Sequence, residues 1–168
     1  MRVLMFVDEE FDDDEVLYPR LQFEKAGIPL DIAAKDGKEK FGKKGAPAGV
    51  NRDMSGLSPE AYDLVIVPGG YRSPDRLRTY DEVLNFLRAM DKRKKLIASI
   101  CHGPWVLISA GIVRGRKVTG HRGTKDDLVN AGADYRDTDV MVDGNLITAS
   151  HPRHVAPFME EVLVKLRS

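Results

Sequence analysis

The sequence has a single cysteine, Cys101, among its 168 residues. One cysteine cannot form an internal disulfide, which excludes a disulfide-stabilised secreted scaffold and favours a reducing compartment. A net charge is also missing, because 26 lysine and arginine residues balance 26 aspartate and glutamate residues. The chain therefore has no overall field that would attract nucleic acid or an anionic membrane surface.

Targeting, membrane and cofactor motifs are absent as well. No apolar run approaches the roughly 18 residues of a membrane span, and the N-terminal residues indicate a strand rather than a signal peptide. The Gly-rich segments lack both the GxGxxG fingerprint and the Gly-Lys-Ser/Thr ending of a phosphate-binding loop. Residues 151–154 include two histidines but no cysteine or carboxylate to complete a metal site, which favours a surface loop. We expect a cytoplasmic protein with no cofactor and no metal, and with neither nucleic acid nor membrane as a partner.

The composition, with 42% hydrophobic and 31% charged residues, is that of one globular domain over residues 1–168. Apolar runs predict strands at residues 2–7, 29–34, 64–67 and 96–100, and shorter strands at 117–120, 140–142 and 145–149. Helices are predicted at about residues 14–26, 80–92, 104–110, 124–131 and 155–166. Residues 37–54 predict a loop or a small β-hairpin. Strands that alternate with helices predict an α/β fold with a largely parallel sheet.

The strongest local signal is the apolar run that ends in Cys101. Ser99 and Gly103 stand two residues to either side of it, and Pro104 fits the first turn of a helix. This spacing is typical of a nucleophile elbow, in which a strained turn lifts one side chain out of the sheet. A lone cysteine after an apolar run is usually a small buried hydrophobe. Together with His102 and Gly103 it favours a functional thiol, whose thiolate the helix N-terminus would stabilise.

Three loops follow the carboxyl ends of predicted parallel strands, at residues 8–13, 69–75 and 101–102. Ligands bind at this edge of such sheets, so we expect the three loops to line one pocket. The first loop begins a stretch, residues 8–15, with seven acids in eight positions. These acids could form a solvated helix start or, through mutual repulsion, include a carboxyl of raised pKa.

The heptapeptide at residues 98–104, Ala-Ser-Ile-Cys-His-Gly-Pro, resembles the nucleophile motif of the PfpI intracellular protease family, in the class I glutamine amidotransferase-like DJ-one/PfpI superfamily. Further stretches resemble the same family at residues 3–6, 10–11, 18–19, 65–70, 108–111, 114–117, 125–127 and 142–145. The resemblance thus spans nearly the whole chain. It implies a flavodoxin-like three-layer α/β/α sandwich with the nucleophile elbow at Cys101.

The resemblance also implies roles for individual residues. Cys101 is the nucleophile and His102 the acid/base, although neighbouring side chains usually diverge and sequence alone does not establish their contact. Asp75 matches the family's acid that orients this histidine across a subunit interface. Asp12 matches the acid placed against the sulfur, with Glu15 one helical turn along as the alternative. The family usually has Glu at both aspartate positions, so each of these side chains is one methylene group shorter here. Without the family, Asp75 would be read as a helix cap after a proline.

The remaining site predictions concern glycines and a second histidine. The backbone N–H groups of Gly70 and His102 are the natural oxyanion donors, because glycine permits close approach of the backbone to a substrate. Gly69 is predicted to line the pocket, and its alternative is a plain turn residue. His121 matches a position where the family often has Tyr, which implies a pocket-lining residue. The resemblance further implies homo-oligomers, as dimers or trimers of dimers, in which Asp75 approaches His102 of a neighbouring subunit.

Three functions are compatible with these residues. The first is cofactor-free conversion of small reactive carbonyls such as methylglyoxal and glyoxal, without glutathione, through a Cys101 hemithioacetal, together with release of early glycation adducts. The second is peptide hydrolysis through an acyl-Cys101 intermediate, for which no peptide-specificity pocket is visible. The third is a redox sensor or chaperone in which Cys101 oxidises to a stabilised sulfinate. The first is the hypothesis that we carry forward.

Overall fold

The centre of the molecule is a set of four apolar strands. In a computed structural model that describes residues 1–168, these are β1 (Val3–Phe6), β2 (Leu30–Ala34), β4 (Leu64–Val67) and β5 (Leu96–Ile100). All residues of β1 and β4 are buried, as are all of β2 and β5 after the first residue. Strands covered on both faces need apolar side chains on both sides, which is why they lack an alternating pattern. All four strand predictions are confirmed.

The main sheet has seven strands in the order β3-β2-β1-β4-β5-β9-β8. Its outer members are β3 (Arg52–Asp53), β8 (Val140–Asp143) and β9 (Leu146–Ala149). Every neighbouring pair is parallel except β8 and β9, which are antiparallel and joined through Gly144 at a φ of 60°. A separate parallel pair consists of β6 (Lys117–Val118) and β7 (Asp134–Tyr135). The predicted, largely parallel sheet is thus confirmed, with β8 and β9 as an antiparallel hairpin at its edge.

Helices cover both faces of this sheet. They are α1 (Asp13–Ala26), α2 (Arg72–Leu77), α3 (Asp81–Lys92), α4 (Pro104–Ala110), α5 (Lys125–Asn130) and α6 (Val155–Arg167). One apolar cluster joins α1 and α6 to the sheet, and a second cluster joins α3 and α4 to it. This is the predicted flavodoxin-like α/β/α sandwich. None of the helices has the length and apolar character needed to cross a membrane.

The structure differs from the predictions where elements are very short. Residues 37–54, predicted as a loop or hairpin, have one antiparallel bridge between Phe41 and Pro47 and then continue into the parallel edge strand β3. Before β4 the chain forms a single 3₁₀ turn, Pro59–Ala61. Helix α2 occupies part of the predicted 69–75 loop. Elements of two to six residues have too few side chains to establish a period.

Candidate active site

The turn between β5 and α4 has the geometry of a nucleophile elbow. Cys101 has a φ of +61°, a left-handed conformation that L-residues other than glycine rarely adopt. A Cβ on Gly103 would lie 2.4 Å from both the Ser99 Oγ and the Val67 carbonyl oxygen. The Ser99 hydroxyl donates a hydrogen bond of 3.0 Å to that same carbonyl. The small residues on both sides are therefore sterically required, and the predicted elbow at Cys101 is confirmed.

His102 contacts the sulfur directly, although the two residues are adjacent in sequence. The Cys101 Sγ lies 3.3 Å from the His102 Nδ1. The imidazole is buried among three other rings, with centroid distances of 4.6 Å to Tyr71, 4.9 Å to Trp105 and 4.3 Å to His121. The His121 ring is nearly parallel to it and is fixed by accepting a hydrogen bond from the Gly123 N–H at its Nδ1. Packing thus holds Nδ1 toward the sulfur.

This environment keeps His102 neutral. Burial lowers the pKa of His102 to about 4, and the positive charges of protonated His121 and of Lys43 act in the same direction. A neutral imidazole has one unprotonated ring nitrogen that can accept a hydrogen bond. Near pH 7, His102 is therefore unprotonated, and its Nδ1 is placed to accept a hydrogen bond from the Cys101 thiol.

Glu15 is the carboxyl group at the sulfur. Its side chain, in the first turn of α1, is fully buried, and one oxygen, Oε2, accepts a hydrogen bond from the Gly69 N–H. The other oxygen, Oε1, is buried without a hydrogen-bond partner among the surrounding nitrogen and oxygen atoms. Burial, followed by the negative charge of Asp12, raises the pKa of Glu15 well above its usual value. Burial therefore favours the neutral form of the carboxyl, which lies close enough to Cys101 for a hydrogen bond with the sulfur.

Asp12, the first choice for this position, lies elsewhere. Its carboxylate caps the N-terminus of α1 by accepting a hydrogen bond of 3.2 Å from the Asp14 N–H, and it pairs with the Lys43 Nζ at 3.3 Å. A residue that caps a helix points along the helix axis, whereas Glu15 begins the buried face of α1. The alternative, Glu15, therefore replaces Asp12 beside the sulfur.

Two other acids of the run 8–15 are buried and have structural partners. Asp13 is buried and accepts hydrogen bonds from the Lys44 and Ala46 N–H groups, which secures the long loop after β2. Asp8 is also buried and accepts hydrogen bonds from the Tyr80 hydroxyl at 2.9 Å and the Glu9 N–H at 2.7 Å. The run is thus neither a uniformly solvated helix start nor a uniformly catalytic cluster.

The resting sulfur is a thiol. Burial raises the pKa of Cys101, as would a negative charge on Glu15, and the charge of Asp12 acts in the same direction. The His102 backbone N–H and the Lys43 ammonium lower the pKa but do not outweigh burial. The expectation that the helix N-terminus would favour the thiolate is therefore wrong for the resting site, because Cys101 is buried, with only 5% of the residue exposed. Thiolate formation requires a base in contact, and His102 has that position.

The two glycines after β4 have different positions. A Cβ on Gly69 would lie 2.7 Å from the Glu15 Oε2 and 3.0 Å from the Cys101 Cβ, so this residue lies beneath the sulfur and lines no open cavity. Gly70 has a φ of +84° and packs against the β1–α1 loop. Neither the Gly70 nor the His102 N–H donates to another backbone carbonyl. The Gly70 N–H is thus available to a bound oxygen, whereas the His102 N–H faces the Cys101 sulfur.

Asp75 lies on the surface in α2, without an ion pair or side-chain hydrogen bond in this chain. It lies inside the helix, so the helix-cap reading is wrong. Helix α2 is attached to β1 because the Asp8 N–H donates to the Ser73 Oγ at 2.9 Å. The His102 Nε2 has no hydrogen-bond partner within the chain. The predicted contact between Asp75 and a neighbouring His102 stays a prediction.

Sequence reasoning did not identify Lys43. Its Nζ is 3.3 Å from Asp12 and 5.5 Å from the centre of the Tyr71 ring. The charge of Lys43 affects the pKa values of Glu15, Cys101 and His102. The residue belongs to a loop without periodicity, so its position depends on the Asp13 contacts rather than on any local pattern.

The four histidines form a row that begins at the sulfur. His121 stacks on His102, its ring centroid is 6.0 Å from that of His151, and His151 is 6.4 Å from His154. His154 is paired with Asp139 at 3.2 Å. No group of three or more His, Cys, Asp or Glu side chains in the chain is arranged to hold a metal ion.

Comparison with known proteins assigns this arrangement to a family. The sequence model of the DJ-1/PfpI family matches residues 1–165. This chain belongs to the DJ-1/PfpI family. A relative from Pyrococcus horikoshii, named "Deglycase PH1704", is 38% identical over 167 residues, which cover 99% of this chain and 100% of the relative.

Two further DJ-1/PfpI relatives differ in name and length. The Bacillus subtilis protein "Putative cysteine protease YraA" is 36% identical over 169 residues, which cover 99% of this chain and 98% of that protein. A crystal structure from Anabaena variabilis, of a two-domain protein with DJ-1/ThiJ/PfpI-like and ferritin-like domains, is 31% identical with a TM-score of 0.96. The alignment covers 99% of this chain and 50% of that one.

Proposed function

We propose that this protein is a cofactor-independent cysteine enzyme that converts small reactive carbonyl compounds, such as methylglyoxal and glyoxal, to hydroxy acids. One observation carries the proposal: the Cys101 sulfur lies between the His102 imidazole at 3.3 Å and the fully buried Glu15 carboxyl, whose pKa is raised by burial. A thiol nucleophile needs a base to remove its proton and an acid to stabilise the anion that results. His102 and Glu15 supply these two groups.

The proposed reaction needs no oxidant. His102 accepts the thiol proton while the sulfur adds to the aldehyde carbon of methylglyoxal, and the carbonyl oxygen takes a proton to give a hemithioacetal. His102 then moves the proton from that carbon to the neighbouring one through an enediol, which leaves a thioester on Cys101. Water hydrolyses the thioester to lactate and the free thiol. The sum is methylglyoxal plus water giving lactate.

The same intermediate is accessible from an early glycation adduct. In such an adduct an amine has added to the aldehyde, so attack by the sulfur at that carbon releases the amine and forms the hemithioacetal. The remaining steps are unchanged. The printed name of the Pyrococcus horikoshii relative, a deglycase, supports this extension to our chain.

Peptide hydrolysis is the competing function. The Gly70 N–H, which donates to no other backbone carbonyl, supports it because such a donor can stabilise a tetrahedral oxyanion. The name of YraA also supports it. Cys101, however, is only 5% exposed, which favours a small substrate over an extended peptide.

The two functions separate in one set of assays on the full-length protein. We expect the wild type to form lactate from methylglyoxal without glutathione. The rate of lactate formation by Cys101→Ala should be at least about 100-fold lower. Lys25→Gln, on the exposed end of α1, serves as the matched surface control. Cleavage of fluorogenic peptides by the wild type, without lactate formation, would favour the peptidase. Equal activity of Cys101→Ala and wild type in both assays would exclude both enzymatic functions.

A further inference from the structure

A cavity of about 590 Å³ lies next to His121, the residue whose ring stacks on His102. Cavities of ~300–1,000 Å³ are the usual size of small-molecule sites. The lining is almost entirely polar and consists of Gly120, His121, Arg122, Lys125, Tyr135, Asp137, Ser150, His151 and Arg153. This space is larger than a three-carbon carbonyl compound needs.

The cavity has an excess of positive charge that no carboxylate of the chain neutralises. Arg122, Lys125 and Arg153 line it, and none of the three has an acidic group within 4.0 Å. Asp137 is the single acid of the lining and has no ion-pair partner either. Three cations against one anion, on a chain whose formal net charge is +0, make this a local positive site.

Two of the lining residues connect the cavity to the reaction. His121 lines the cavity and also stacks on His102, with ring centroids 4.3 Å apart. His151 lies beyond it in the same lining. A substrate whose carbonyl is at Cys101 would therefore extend past one imidazole ring into the positively charged space.

We propose that this cavity binds an anionic group, a carboxylate or a phosphate, joined to the carbonyl that reacts at Cys101. Guanidinium and ammonium groups are the side chains that recognise such anions through charge-assisted hydrogen bonds. The chain then prefers acidic reactive carbonyls over neutral ones of the same size. The substrate half of this inference rests on the proposed function, whereas anion binding by the cavity does not.

Anion binding is tested first, because it needs no turnover. Inorganic phosphate and acetate are titrated separately into the full-length protein while the imidazole NMR signals of His121 and His151 are followed. We expect saturable shifts with at least one anion, and the stronger of the two identifies the anion class. The double variant Lys125→Gln/Arg153→Gln should weaken binding at least about tenfold, and Lys25→Gln should not change it. Linear shifts in the wild type, or equal affinity in the double variant, would overturn the proposal.

The substrate preference is tested with a matched pair of 2-oxoaldehydes, 4,5-dioxopentanoate and its methyl ester. We expect kcat/KM of the wild type to be at least about tenfold higher for the acid than for the ester. In Lys125→Gln/Arg153→Gln this ratio should fall to about one. A wild-type ratio near one, or an unchanged ratio in the double variant, would overturn the preference. If neither compound reacts, the proposed function fails, and the titration still decides whether the cavity binds anions.

Discussion

Burial acts in the same way on the two groups beside the Cys101 sulfur. It lowers the pKa of His102 to about 4 and raises the pKa of Glu15 well above its usual value, so it favours the uncharged form of each. An ionised carboxylate in the Glu15 position would be charged, fully buried and short of one hydrogen bond, which is a costly combination. The same burial that disfavours the resting thiolate therefore supplies the proton donor that stabilises it once His102 has acted.

The neutral state of His102 predicts an unusual pH profile. Because the pKa of His102 is lowered to about 4, activity should stay level from pH 7 to pH 5 and fall only near pH 4. An unperturbed histidine would lose activity below about pH 6.5. The measurement is kcat/KM against pH, together with NMR titration of the His102 ring. Protonation of His102 near pH 6.5 would contradict the account, and His154→Asn is the control that should leave the profile unchanged.

The protonated state of Glu15 predicts a pH-dependent stability. A carboxyl whose folded-state pKa is raised binds more protons in the folded chain than in the unfolded one above about pH 4.5. Stability is therefore fully present below that pH and falls as pH rises toward the folded-state pKa, by up to about 1.4 kcal/mol per pH unit. A glutamine at position 15 does not titrate, so Glu15→Gln should lack this loss of stability with rising pH.

The measurement is denaturant unfolding of wild type and Glu15→Gln at several pH values from 5 to 8. As pH rises, the free energy of unfolding of the variant should increase relative to that of the wild type. A constant difference across this range would show that Glu15 is ionised in the folded protein, which would remove the proton donor. Glu24→Gln, on the exposed part of α1, controls for the loss of an acid from the same helix.

At the scale of elements, the elbow concentrates backbone strain in one residue. Cys101 at a φ of +61° has a conformation that costs an L-residue about 1–2 kcal/mol relative to glycine. The interlocked contacts of Gly103 with Ser99 and Val67 hold the turn in place. The strain is thus compensated by the packing between β4, β5 and α4.

The strain predicts an order of stability between two substitutions. Cys101→Gly should be more stable to denaturant than Cys101→Ala by about 1 kcal/mol, because glycine adopts a positive φ without steric conflict. In the adjacent extended strand, Ala98→Gly should lower stability instead, which makes it the matched control. If Cys101→Ala were the more stable of the two, the elbow would not be strained.

The elements show which parts of the structure the sequence could predict. The long apolar strands and the amphipathic helix α3 were predictable because burial imposes a pattern over many residues. Whether Asp12 or Glu15 lies beside the Cys101 sulfur depends on where each side chain points at the N-terminus of α1. A run of seven acids in eight positions does not indicate these directions. Lys43 and the basic cavity come from separate loops, whose meeting depends on tertiary contacts that no local pattern encodes.

At the scale of the whole molecule, two groups lack a hydrogen-bond partner within one chain. They are the exposed Asp75 carboxylate and the His102 Nε2. The family resemblance predicts that they meet across a subunit interface. Asp75→Ala and Cys101→Ala should then each be inactive alone, and mixing them should restore activity. Half of randomly mixed dimers are hybrids with one intact site each, so about a quarter of the wild-type activity per subunit is expected.

Complementation is measured after the two variants are unfolded and refolded together, with size determined by sedimentation. Each variant refolded alone and then combined without exchange serves as the control. Full activity of Asp75→Ala by itself, or mixtures no more active than their components, would exclude a role for Asp75 across an interface.

The central claim is that Cys101 forms the covalent intermediate and that His102 moves the protons that resolve it. The most direct measurement is mass spectrometry of full-length protein quenched during methylglyoxal turnover, with the modified residue located by fragmentation. We predict a transient adduct on Cys101 in the wild type, an accumulating adduct in His102→Ala, and none at position 101 in Cys101→Ala. Lactate formation by a wild-type protein that never bears an adduct on Cys101 would contradict the account.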